Sequence, residues 1–151
     1  MNNLRKLFTF GLCLFSISTF AQVKPSAKQK YFTDYPQTVQ LSKNILQNTL
    51  GASEGEEVII AFSSDFRFKG VVMSNQQKYH NLQSVMIKSS VFGNSIFQLS
   101  KIINEDKSIS YSGRIINPEA ADGYEIKQDM NGNYSFVKFE TKSILQDCSY
   151  Q

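Results

Sequence analysis

The sequence predicts a mainly β or α+β fold: one N-terminal amphipathic helix packed on an antiparallel β-meander of six to seven strands, partly rolled toward a barrel. Three observations predict it. Apolar residues recur at helical spacing from Tyr35 to Leu50, and Gly51 closes the run. From Glu57 onward the period falls to two, in short segments separated by turn residues. Between the last two such segments stands Asn131-Gly132, the pair favoured in a two-residue type I′ hairpin because both positions take positive φ.

The chain opens with Arg5 and Lys6, an apolar run from Leu7 to Phe15, and small residues at Thr19 and Ala21. That order is the tripartite form of a secretory signal peptide, expected to end at Ala21. The apolar run is shorter than the roughly 20 residues of a membrane-spanning helix. A lipoprotein reading fails because Cys13 lies inside the run, behind Leu12. The expectation is therefore an exported protein, periplasmic or extracellular, with no stable membrane insertion once the leader is gone.

Export leaves 130 residues, which suits one domain. The leader carries two of the 16 basic residues and none of the 13 acidic ones, so the formal +3 of the whole chain falls to +1. A near-neutral domain is a poor partner for nucleic acid. Only Cys148 lies beyond the leader, so no internal disulfide is expected. That thiol either rests partly buried or joins two chains as a dimer. The absence of Trp weighs against a sugar-stacking platform.

Residues 22–33 read as a flexible polar linker, and a single domain follows over 34–151. The helix is expected to start at Asp34 as N-cap, with Pro36 in the first turn and Gln37 completing a capping box. Tyr35, Val39, Leu46 and Leu50 form its apolar stripe, widened by Leu41 and Ile45. The continuously apolar Val58-Ile59-Ile60-Ala61-Phe62 reads as a buried central strand. Phe66, Phe68, Gly70 and Val72 then alternate with Arg67, Lys69, Val71 and Met73, and the stretches from His80 to Ile87, Ser95 to Asn104 and Ser108 to Ile116 continue the series. With a two-residue turn at Asn131-Gly132, Tyr124 is expected opposite Phe139, Ile126 opposite Val137 and Glu125 opposite Lys138.

Little points to catalysis. His80 is the sole histidine, it has no nucleophile motif beside it, and a sheet-surface role explains it. Asp65, Glu105, Asp106, Glu119, Asp122, Glu125 and Asp129 offer carboxylates for a glycosidase pair, but most fall at expected turns, where such side chains solvate and cap the backbone. No metal site is expected, since His80 and Cys148 are lone ligands and the calcium-loop pattern beginning at Asp129 has Tyr134 where Gly is needed. No cofactor is implied. Eight Phe and seven Tyr remain after the leader. Of these, Phe66, Phe68, Phe97, Tyr111 and Tyr124 are the candidates to line a ligand cup, with core filling as the plainer alternative. The functional expectation is an exported, non-catalytic binding protein for a partner protein or an apolar small ligand. A small hydrolase using His80 or a carboxylate pair, and an envelope-associated structural component, are the alternatives. A bare strand edge over a solid core would favour a protein partner.

Overall fold

A computed structural model describes residues 28–141. The expected leader, the start of the linker and Cys148 lie outside the described residues. The protein is mainly β. Its elements are β1 (Thr38–Leu41), α1 (Lys43–Leu50), β2 (Glu57–Ala61), β3 (Arg67–Tyr79), β4 (Leu82–Ser89), β5 (Ile96–Ile103), β6 (Ile109–Ile116), β7 (Asp122–Gln128) and β8 (Tyr134–Glu140). All eight strands form one antiparallel sheet in the order β1-β8-β7-β6-β5-β4-β3-β2. The sheet is curled into a half-barrel: Phe62, just past β2, meets the rings of Phe97 on β5 and Phe136 on β8 at 5.4 and 4.7 Å. The two edges, β1 and β2, are joined by α1, which crosses the concave face.

The helix is shorter than its apolar stripe suggests. Val39 and Leu41 fit a helical stripe and a strand alternation equally well, and the strand wins. Both are buried, and β1 pairs with β8 from Thr38↔Val137 to Leu41↔Tyr134. The N-cap is therefore Ser42, not Asp34, and its hydroxyl accepts from the Ile45 N–H. Gly51 does end the helix. The sheet completes the cap: Asn75 Nδ2 donates to the carbonyls of Leu50 and Ala52 at 2.8 Å each, and Gln83 Nε2 donates to Leu50 at 2.9 Å. A register shift between Val72 and Ser74 lets Val72 and Asn75 both serve the helix side, although an unbroken strand would put them on opposite faces.

The described part of the expected linker is docked instead of free. Gln29 bridges Ala120, and the Asp122 carboxylate accepts the N–H groups of Tyr31 and Phe32 at 2.8 and 3.0 Å. Phe32 is fully buried against Tyr35, Phe66, Phe92 and Tyr124. Lys138 Nζ clamps the same segment by donating to the carbonyls of Phe32 and Tyr35.

That clamp follows from a register different from the expected one. Tyr124 lies opposite Lys138, Glu125 opposite Val137 and Ile126 opposite Phe136, one residue from the two-residue-turn pairing. The Asp129 carboxylate accepts the N–H groups of Asn131 and Asn133, and Asp129 N–H donates to the Asn133 carbonyl. This makes the loop three residues long. Only Gly132 (φ 79°) takes the left-handed conformation, as in a type I turn closed by a glycine bulge. Lys138 thus turns to the core face, and Glu125 finds Arg114 and Lys127 as its partners.

Candidate functional site

The site begins with a strand whose place in the sheet contradicts its composition. The apolar run in β2 is not central: among the described residues β2 is an edge strand, paired only with β3. Its pairing runs from Glu57↔Val71 to Ala61↔Arg67. Phe62 N–H donates to the Phe66 carbonyl, and Val72 N–H to that of Glu56, which fixes the alternation of the ladder. Val58 and Ile60 therefore bond to β3, while the N–H and C=O groups of Glu57, Ile59 and Ala61 point away from it. Three donors and three acceptors thus face outward along a strand that carries none of the lysines or prolines that usually blunt an edge. Ile59 is 64% exposed. The opposite edge is different: β1 has only four residues, and Thr38 and Gln40 are its exposed ones.

Beside the bare edge lies a groove of about 600 Å³ between β2 and α1. Ile45, Asn48, Thr49 and Ala52 line its helix side, and Val58, Ile60 and Ile87 its sheet side. Ile60 and Ile87 are buried, while Ile45, Ala52 and Val58 are half-buried, so the groove has an apolar floor. At one end stand Gly51 and Glu56. The arrangement can do two things chemically. It can hydrogen-bond an extended backbone, and it can bury that backbone's alternate side chains.

The aromatic residues expected to line a ligand cup are all in the interior, and none lines this groove. Phe66, Phe68, Phe97 and Tyr124 belong to one continuous cluster. Phe66 and Tyr124 are 5.1 Å apart, Phe68 and Phe97 5.9 Å, and Phe32, Phe62, Phe92 and Phe136 fill the spaces between them. Tyr111 belongs to the same core and meets the ring of Tyr134 edge-on at 5.5 Å. Its hydroxyl is buried without a hydrogen-bond partner among the described residues.

His80 is exposed in the turn between β3 and β4. Several of the candidate carboxylates serve local structure. Asp106 accepts from Ser108, whose hydroxyl and N–H hold its pKa below the ordinary value. Asp129 is lowered in the same way by Asn133 and its turn. Asp122 is a buried strand residue holding the docked segment, not a turn residue. Burial, then the charge of Asp122, push the Tyr124 phenol up to about 12, and its hydroxyl donates to the Pro36 carbonyl. No group of three or more metal-ligating side chains occurs among the described residues.

Ile59 and the groove were missed in the sequence because a continuous apolar run has the same composition in a central strand and in a sticky edge. The available signal was length: a five-residue strand directly after a helix that must cross the sheet. No protein-family model, no curated protein and no solved structure matches this chain.

Proposed function

We propose that this chain is an exported, non-catalytic protein-binding module that takes an extended segment of a partner protein as a ninth strand on β2. One observation carries the reading: a mostly apolar edge strand, its one charge Glu57 paired to Lys69, whose outward backbone groups lie beside a groove with an apolar floor and polar rim. Main-chain hydrogen bonds to Glu57, Ile59 and Ala61 supply affinity, and the groove selects apolar side chains at alternate positions of the segment. An apolar small ligand is less well supported, because the interior aromatics pack on one another. Export rests on the tripartite leader, and an intact mass beginning at Gln22 after expression in an exporting host tests it.

The binding reading is tested by selecting a displayed library of random octapeptides on the purified chain. The expected yield is extended sequences with alternating apolar residues. Ile59→Pro and Ala61→Pro each remove one outward N–H without touching the β2–β3 ladder. Both are expected to fold, as read by circular dichroism, and to lose the selected peptides. Undiminished binding by both variants would sink the proposal.

A further inference from the structure

The partner segment has a definable chemistry, because one end of the groove is negative. Glu56 lines that end, where one carboxylate oxygen accepts the Ser53 N–H at 2.8 Å and the other is left to a partner, and Glu54 is exposed in the turn just before it. Among the described residues neither has a cationic partner; the nearby Glu57 is held by Lys69 at 2.9 Å. The C-terminus of α1 lies at the same end, with Gly51 and Ala52 in the groove wall and no basic residue in the last turn of the helix. Helix termini of this polarity favour cations. The other end of β2 is balanced, with Asp65 and Arg67 both exposed.

We infer that the added strand is an internal apolar segment followed by lysine or arginine, lying antiparallel to β2 so that its basic end meets Glu54 and Glu56. This rests on the strand-addition reading above. Antiparallel pairing is the more stable of the two arrangements per residue, and it brings the C-terminal side of the segment to the acidic end. A free chain terminus there would set a carboxylate against two others, so the segment is internal.

The test uses two fluorescein-labelled, amide-capped peptides of alternating Thr and Val, one ending in Arg-Arg and the other in Glu-Glu. Fluorescence anisotropy is read on the chain released by an exporting host. The Arg-Arg peptide is expected to bind about tenfold tighter at low salt, from two exposed ion pairs gained and two repulsions avoided. At about 0.5 M salt the gap should shrink to about twofold or less. The double variant Glu54→Lys/Glu56→Lys should reverse the order, and Glu54→Gln/Glu56→Gln should narrow the gap without inverting it. Equal affinities at low salt, both lost in Ile59→Pro, would overturn the charge inference and leave strand addition standing. Arg-Arg binding that survives in both proline variants would overturn strand addition itself.

Discussion

Phe32 is the residue whose removal most sharply tests whether the segment before β1 belongs to the fold. Its ring is fully buried and lies 5.1 Å from Phe92, 5.3 Å from Tyr124, 6.0 Å from Phe66 and 6.3 Å from Tyr35. Phe32→Ala deletes a ring from the middle of that cluster, and such truncations cost about 3–5 kcal/mol in transfer and cavity terms together. A domain of this size has about 5–15 kcal/mol of stability, so the loss is a large share of the whole. With a urea slope of about 2 kcal/mol per M, a 4 kcal/mol loss moves the unfolding midpoint down by about 2 M. The docked segment can also detach without unfolding the sheet, because ordering it costs about 1–2 kcal/mol per residue and Phe32, Asp122 and Lys138 are its anchors. In that event the measured loss stops at the docking free energy, and the Tyr31 and Phe32 amides, which donate to Asp122, lose their protection from hydrogen exchange. Thr33→Ala, an exposed neighbour, is the control. A midpoint shift below about 0.5 M with unchanged protection at Tyr31 and Phe32 would mean that the segment is not docked, since an undocked linker gives that result.

Other perturbations have equally definite outcomes. Asn75→Ala should cost about 1–3 kcal/mol in urea unfolding, because the Leu50 and Ala52 carbonyls lose a half-buried donor; a change under about 0.5 kcal/mol would mean that Gln83 suffices as the cap. Tyr111→Phe should be neutral or stabilise by about 1 kcal/mol, since its buried hydroxyl lacks a partner among the described residues, and a clear loss would reveal one. Tyr124 has its folded-state pKa raised to about 12 from 10.0, so its contribution is complete below 10.0 and is lost as pH rises toward 12. Urea midpoints measured across that window should fall less steeply for Tyr124→Phe than for the unaltered chain. Asp129, with a lowered pKa, acts in the opposite direction: its contribution is present above 3.8 and lost as the pH falls below it, so Asp129→Asn should flatten the acid limb of the same plot.

What could be read in advance was whatever local pattern determines alone. Alternation marks strands from Arg67 to Ile116, broken in β3 by the shift after Val72, and Tyr111, Gly113 and Ile115 share one face of β6 as their spacing requires. Gly51 marks the helix end because the chain must turn there toward β2. The remainder depended on partners distant in sequence. Thr38–Leu41 is a strand only because β8 offers it a free edge, and without β8 its residues suit a helix equally well. The β7–β8 register turned on the Asp129 side chain, which lengthens the loop by one residue and so reverses every side chain of β8 relative to the shorter turn. Lys138 at the core face is the result, and its charge is met by two carbonyls of the docked segment. The site was the least legible feature. Val58 to Ala61 carries the composition of a buried strand, and only the order of strands in the sheet places it at an edge.

That edge is where the account is most exposed to measurement. Residue-resolved amide hydrogen exchange on the free chain should find Val58, Ile60 and Phe62 protected, and Glu57, Ile59 and Ala61 exchanging near the rate of an open chain. Addition of a peptide selected on the chain should protect Glu57, Ile59 and Ala61 by about tenfold or more, in alternation along β2. Outward amides already protected in the free chain, or unchanged when the peptide is bound, would contradict strand addition on β2.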